Sequence, residues 1–399
     1  MQQSVLIICF SNLHKDPRVL RQVAALKDHY RIITAGYTAT GFEQQFIRFD
    51  KPTAANAHWK YPAVIRKTIS AFLKIKSRLL PLLGNRQYEL QYWNSHARQC
   101  LNKLKDCHAQ LLIANDLNIL PIAYRISKSM HAKLIFDAHE YYPLEFENNV
   151  EWLKGVQPLY NYLCQKYLHK AHRVTVVSNS IGKKYQQEFD LKDFTVIDNA
   201  AEYYELQPGD VNPKNIRLVH HGFAMAERKL ENLVNILNGL DERFELHLVL
   251  VHNHNTKKYY EELRRLNENN KRIFFHNPVP FETIPLFLNQ FDIGIYFWDK
   301  ANFNTHTTIP NKFYEFLQAR LMIAISPSAE LEIITKEHAL GFCTKTYNNY
   351  ELVNLLNACS ADDIAAYKAN AGKCAKKLSS ENNKAMILKT VNDLLKTNA

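Results

Sequence analysis

Lys312 and Glu315 stand three residues apart in the segment Pro310-Asn311-Lys312-Phe313-Tyr314-Glu315-Phe316-Leu317-Gln318-Ala319, between an apolar run ending at Phe297 and another from Leu321 to Ser326. Proline suits a first helical turn and the flanking runs suit strands, so the segment predicts the start of a helix in a β-α-β unit. The unpaired N–H groups and partial positive charge of a helix N-terminus favour phosphate, and Lys312 adds a full charge at that end. A carboxylate at Glu315 on the same face would repel phosphate but accept bonds from sugar hydroxyls. The pair therefore suits a diphosphate joined to a ribose. The alternative is a surface Lys–Glu pair, worth about 0.3 kcal/mol.

The elements that must position such residues follow from alternation. Strand-like runs at Ser4 to Phe10, Arg31 to Ala35, Leu111 to Ala114, Lys133 to Asp137, Arg173 to Val177 and Phe194 to Ile197 are separated by helical patterns at Pro17 to Lys27, Glu89 to Lys105, Trp152 to Lys170 and Ser180 to Phe189. This predicts a parallel sheet covered by helices on both faces. A polar, turn-rich stretch, Gln207-Pro208-Gly209-Asp210-Val211-Asn212-Pro213-Lys214, reads as a linker. A second alternating series follows, with runs at Ile216 to His220, Phe244 to Val251, Arg272 to Phe275, Ile293 to Phe297 and Met322 to Ser326. The expectation is two doubly wound Rossmann-like α/β domains, 1–206 and 216–380, joined by a linker at 207–215 and facing each other across a cleft. A terminal helix in 381–399 could cross back to pack on the first domain.

In open α/β sheets ligands bind beyond the carboxyl ends of the strands. The positions to search are therefore the Ser11 to Asp16 loop, Asn115-Asp116, His139-Glu140, the His221 to Arg228 loop, the His252 to Asn255 loop and the Thr305 to Glu315 region. His252 and His254 read as donor-loop or surface residues, since no third metal ligand lies near them in sequence.

Composition bounds the classes. With 399 residues, 46% hydrophobic and 22% charged, the chain can bury two cores. Its seven cysteines form no C-x-x-C pair, which points to reduced thiols and a cytoplasmic location. The apolar stretch Val5 to Phe10 is too short for a signal-peptide core, and no run approaches the length of a transmembrane helix.

The 50 Lys and Arg against 39 Asp and Glu are unevenly spread. From Lys51 to Tyr88 there is no acidic residue, while Lys51, Lys60, Arg66, Lys67, Lys74, Lys76, Arg78 and Arg86 accompany apolar residues near helical spacing. Such a segment can lie at the inner face of the cell membrane as a peripheral anchor on anionic lipid. A solvated helix packed on its own domain is the alternative. Nucleic acid is disfavoured as a partner, because zinc-finger spacing, RNP-like strands and basic heptads are missing.

Other absences prune the chemistry. None of the 11 glycines forms a G-x-G pair, so the dinucleotide fingerprint is missing, and neither a P-loop nor a G-x-S-x-G elbow occurs. Without a D-x-D triplet, a diphosphate would be held by cations and backbone and not through a divalent metal.

Several segments, in order, resemble the retaining glycosyltransferases of the two-domain GT-B fold, particularly glycosyltransferase family 4. Asp16-Pro17-Arg18-Val19 resembles the family's first β-α turn. Asn115-Asp116-Leu117 and Phe136-Asp137-Ala138-His139-Glu140 resemble two strand ends of its acceptor domain, and Thr175-Val176-Val177-Ser178-Asn179 and Val196-Ile197-Asp198-Asn199 the strands that close it. Gly222 with Arg228 resembles the donor loop, and Pro310 to Glu315 the nucleotide-contacting helix.

The resemblance implies that Glu315 binds the ribose of a nucleotide sugar, that Arg228 and Lys312 neutralise its diphosphate, and that Gly222, Thr308 and Asn311 complete the donor site. It places a donor-sugar contact on His139, with Glu140 orienting it or meeting the acceptor. Family members often carry a glutamate eight residues before the position of Glu315; this chain has Thr307 there, which leaves the identity of the sugar open.

The expected activity is a metal-independent, retaining transfer of a sugar from a nucleotide diphosphate sugar of UDP or GDP type to a glycan or lipid-linked acceptor, without a further cofactor, in bacterial surface polysaccharide assembly. The alternatives are a sugar-nucleotide epimerase on the same fold and a non-catalytic, membrane-associated glycan-binding subunit.

Overall fold

Ser4-Val5-Leu6-Ile7-Ile8 is buried at every position, the pattern of a strand covered on both faces. A computed structural model describes residues 2–52, 84–298 and 302–396. The chain forms two compact units, the first comprising Met1–Val176, Gly182–Val196 and Met386–Ala399, and the second Val177–Ile181 and Ile197–Ala385.

Among the described residues, the first unit is built on a seven-stranded parallel sheet: β1 (Ser4–Ile8), β2 (Arg31–Gly36), β3 (Gln45–Arg48), β4 (Leu111–Asn115), β5 (Lys133–Ala138), β6 (Arg173–Val176) and β7 (Thr195–Val196), in the order β3-β2-β1-β4-β5-β6-β7. The order reverses direction at β1, where Val5 pairs with Ile32 on one side and Leu111 on the other. Such a reversal creates a switch point beyond the carboxyl ends of the central strands. Asp16 caps the helix Pro17–Leu26 there, accepting from the backbone N–H of Arg18 and Val19, with Pro17 in the first turn.

The second unit repeats the plan with β8 (Ile216–Phe223), β9 (Phe244–Val251), β10 (Ile273–His276), β11 (Ile293–Tyr296), β12 (Met322–Ile325) and β13 (Gly341–Cys343), in the order β10-β9-β8-β11-β12-β13. One face of the sheet packs on the helix Glu231–Gly239 through Leu233, Ile236 and Leu237. The other receives the helix Asn311–Gln318 through Phe313, Phe316 and Leu317, which meet Val219, Ile323 and Ile325. Burying Phe316 fully is worth about 2–3 kcal/mol. Its ring needs a bare backbone: a Cβ on Gly294 of β11 would lie 2.3 Å from it. That close approach seats the helix whose first turn carries Lys312.

Several expectations are corrected. The helical pattern at Glu89 to Lys105 is two helices, Arg86–Tyr92 and Ser95–Leu104, broken where Asn94 takes an extended conformation and caps the second by accepting from Ala97 N–H. The pattern at Trp152 to Lys170 is interrupted as well, a new helix starting at Gln157 with Pro158 in its first turn.

The main segment of the second unit runs from Ile197 and takes in 207–215. Arg320 helps hold this segment; it follows the helix Asn311–Gln318 in a left-handed conformation (φ 60°) usually given to glycine. Its guanidinium donates to the carbonyls of Tyr204 (2.5 Å), Leu206 (3.2 Å) and Gln318 (2.6 Å). Gln318 Oε1 accepts from Tyr204 N–H, and Asn289 donates to the Gln207 carbonyl. The polar segment that reads as a linker is thereby fastened to the second unit.

The final helix, Ser380–Lys396, is divided between the units at Met386, and Asn392 accepts from the Tyr30 hydroxyl within the first. Most of the Lys51 to Arg86 segment, from 53 to 83, lies outside the described residues. No helix among the described residues is long and apolar enough to cross a membrane.

Candidate functional site

Strand β8 runs past its expected end at His220, so His221 and Gly222 are strand residues paired with Val249 and Leu250. Gly222 has φ 130°, a conformation that side chains oppose. A Cβ there would lie 2.8 Å from Lys312 Nζ and 3.4 Å from Arg228 Nη1. Two cations therefore converge on one bare stretch of backbone, Arg228 steadied by donating from Nη1 to the Phe223 carbonyl at 3.3 Å.

Lys312 leaves the first turn of the helix Asn311–Gln318 and lies 5.6 Å from the centroid of the Tyr296 ring at the end of β11. Among the described residues it makes no hydrogen bond or ion pair. Burial, reinforced by the charge of Arg228 and opposed by Glu315, pushes its pKa down to about 7. Burial also lowers that of Arg228. Cations held together and only partly exposed favour an anion that neutralises both.

Glu315 is buried on the same helix, and its Oε2 lies 3.1 Å from His221 Nε2. The His221 ring meets Phe316 edge-to-face at 5.3 Å. His220, on the opposite side of β8, donates from Nδ1 to the Ile295 carbonyl at 3.0 Å; burial, then the charge of Lys312, hold its pKa well below the usual range.

The turn before the helix is internally satisfied. Thr308 donates from its hydroxyl and its N–H to the Asn304 carbonyl, and the buried Thr307 donates to the Phe303 carbonyl at 2.7 Å. Asn311 is exposed at the first helical position, with Pro310 just outside as the cap residue. Gly222, Arg228, Lys312 and Glu315 are thus brought together, Thr308 shapes the turn, and His221 is an unforeseen member.

In the first unit, His139 follows β5. Its Nδ1 lies 3.1 Å from Asp116 Oδ1, and its Nε2 lies 3.3 Å from Asn115 Oδ1 and 3.6 Å from Asp137 Oδ2. Asp116 adopts φ 74° and accepts from the Tyr142 hydroxyl at 2.6 Å and the Cys9 thiol at 3.5 Å. Asp137 is buried and gripped by Arg18, which donates from Nε at 2.5 Å and Nη2 at 2.6 Å, by Gln22 at 2.7 Å and by the Thr175 hydroxyl. Burial alone would raise its pKa, but Arg18 holds it far below the usual carboxylate range.

Around this frame the other carboxyls shift upward. Burial, then the Asp116 charge, raises Glu140, and burial with the charges of Glu140 and Asp116 pushes Glu145 up to about 7. Glu145 carries no sequence signal, lying outside any motif or strand end. His139 and Glu140 therefore stand in a cluster with Asp116 and Glu145, oriented by a buried Arg18–Asp137 pair.

Two doubly wound parallel sheets of this order define the GT-B fold, as in the solved glycosyltransferases to which the chain is similar along nearly its whole length. Among them, Anabaena Alr3699/HepE in complex with UDP matches with a TM-score of 0.68 at 13% identity, over 98% of this chain and 100% of that chain. The same protein in complex with UDP-glucose matches at 0.66, with the same identity and coverage. A glycosyltransferase from Rickettsia africae ESF-5 matches at 0.68 and 14% identity, over 99% of each chain. No protein-family model and no curated protein matches the chain. At such low identity the likeness shows the fold.

Proposed function

We propose that the chain is a glycosyltransferase whose second unit takes a nucleotide diphosphate sugar. The observation that carries this reading is the meeting of Lys312 and Arg228 over Gly222, beside Glu315 in the first turns of a helix. Breaking the bond between the sugar and the diphosphate leaves negative charge on the departing phosphate. Preformed cations stabilise that charge without reorganising. Lys312 and Arg228 fill the role a divalent metal plays elsewhere, so the transfer is metal-independent. Glu315, beside His221, accepts from the ribose hydroxyls. UDP is the favoured carrier, supported by the UDP and UDP-glucose held by Anabaena Alr3699/HepE.

The first unit's part falls to His139, as a hydrogen-bonding group for the donor sugar, and to Glu140, for the acceptor hydroxyl. In the transfer the acceptor oxygen bonds to the anomeric carbon as the phosphate oxygen leaves, and the acceptor proton passes to that phosphate. The family resemblance favours front-face attack with retention. The acceptor in this reading is a glycan or lipid-linked saccharide of surface polysaccharide assembly, met at the cytoplasmic side of a membrane to which the basic segment gives peripheral attachment.

Calorimetry with UDP, GDP, ADP and CMP tests the donor site. UDP or GDP should bind at micromolar concentration. Absence of heat for all four up to millimolar concentration would remove the nucleotide assignment and the activity built on it.

A further inference from the structure

A second concentration of positive charge lies in the first unit. A hollow of about 300 Å³ is lined by Arg86, Glu89, Leu90, Trp93, Arg98 and Arg125. Its acid is already satisfied: Glu89 accepts from Lys166 at 2.7 Å, from the hydroxyls of Tyr162 and Tyr167 at 2.9 and 3.3 Å, and from the Trp93 indole N–H at 3.1 Å. The arginines are left without a carboxylate partner among the described residues.

Two of them are fixed by the same tryptophan. The Arg125 guanidinium carbon is 3.6 Å from the Trp93 ring centroid, in cation–π contact, and Arg98 donates from Nε to the Trp93 carbonyl at 2.8 Å. Arg98 also sits in the first turn of the helix Ser95–Leu104, which has no acidic residue there. Arg86, Arg98 and Arg125 are all exposed, so solvent screens their mutual repulsion and the unfavourable helix-end position of Arg98, and an anion in the hollow would relieve what remains of both.

We infer that this hollow binds a phosphate monoester carrying an apolar group. Guanidinium forks match phosphate oxygens in pairs, and three uncompensated charges favour a dianion over a carboxylate. Leu90, half-exposed at the hollow, gives the apolar substituent a wall. The chemistry is common to a soluble phosphate ester and to a lipid headgroup such as phosphatidic acid. The site does not depend on the nucleotide reading, because its residues belong to the first unit.

Calorimetry on the full chain tests it with inorganic phosphate, phenyl phosphate, and phosphatidylcholine vesicles with or without phosphatidic acid. Phenyl phosphate should bind more tightly than inorganic phosphate. The Arg98→Gln/Arg125→Gln double variant should weaken that binding by about tenfold or more, with UDP affinity unchanged. Lys312→Gln should keep it, separating the hollow from the cations of the second unit.

Binding of phosphatidic-acid vesicles by the native chain but not the double variant assigns the phosphate to lipid; phenyl phosphate binding without vesicle binding assigns a soluble ester. Equal phenyl phosphate affinity in the native chain and the double variant, or no binding to either, overturns the site. If circular dichroism shows the double variant unfolded, Arg86→Gln on the exposed rim replaces it, and no loss of phenyl phosphate affinity there overturns the inference equally. Failure of UDP to bind the native chain would sink the nucleotide reading and leave this one standing.

Discussion

Nε2 of His221 lies 3.1 Å from Oε2 of Glu315, with both side chains buried at the edge of the proposed donor site. The contact lacks hydrogen-bond geometry, and His221 Nε2 has no hydrogen-bond partner among the described residues, so the strand residue confines the helix residue by packing. His221→Ala, which removes the ring packed on Phe316, should therefore lower stability by about 0.5–3 kcal/mol and weaken UDP binding through a less ordered Glu315. Glu315→Ala should weaken UDP binding more, by removing the ribose contact itself. Urea denaturation and calorimetry read the two effects; unchanged UDP affinity in Glu315→Ala would remove the ribose assignment.

Lys312 ties binding to pH. In the folded chain it releases its proton near pH 7, against about 10.5 for an ordinary lysine. Between those values the unfolded chain holds more protons, so this group's contribution to stability rises with pH from about 7 to about 10, and below 7 the buried charge destabilises in full. A bound diphosphate favours the protonated form. Binding should then take up a proton, and UDP affinity should fall by about tenfold or more between pH 6.5 and 8.5, approaching a tenfold loss per pH unit above 7. Lys312→Gln should flatten the profile. Equal affinities of the native chain at the two pH values would show that Lys312 does not meet the phosphate.

Gly222→Ala should fail in two ways. Its φ of 130° opposes a side chain, costing about 1–3 kcal/mol. The new methyl would also push into Lys312 Nζ, 2.8 Å from where Cβ must stand. A lowered melting temperature together with at least a roughly tenfold loss of UDP affinity is expected, and retention of native affinity would mean the cations are free to move aside.

The Arg18–Asp137 pair should behave as a buried ion pair whose halves cannot be separated. Arg18→Met leaves Asp137 buried with only Gln22, Thr175 and the more distant His139 and should destabilise the chain by about 3–5 kcal/mol. Adding Asp137→Asn removes the stranded charge and should recover part of the loss. Urea titration of the single and double variants distinguishes this from simple loss of packing, in which case the second substitution would bring no recovery.

Much of the fold can be read from runs such as Leu111 to Ala114, because a strand buried on both faces is apolar throughout, and Phe244 to Val251 shows the same apolar bias despite Glu245 and His247. The edge strands β3 and β13 escape that test. Gln45-Phe46-Ile47-Arg48 and Gly341-Phe342-Cys343 are short and only half-buried, so pairing and not composition makes them strands. In the candidate site, Lys312 and Glu315 are legible because a helix start imposes its own local chemistry. His221 is hidden by the three further residues that β8 gains through pairing with β9, since a loop reading gives its side chain no fixed direction. The grip of Arg18 on Asp137 spans 119 positions, and no local spacing announces it.

The hold of Arg320 on the carbonyls of Tyr204 and Leu206 decides where the chain can be divided for expression. A fragment of the second unit begun at residue 207 would leave a guanidinium that is 1% exposed without those acceptors, whereas one begun at Ile197 keeps them. The workable cut is set by which carbonyls a buried cation already occupies, ten residues ahead of the point where the sequence turns polar.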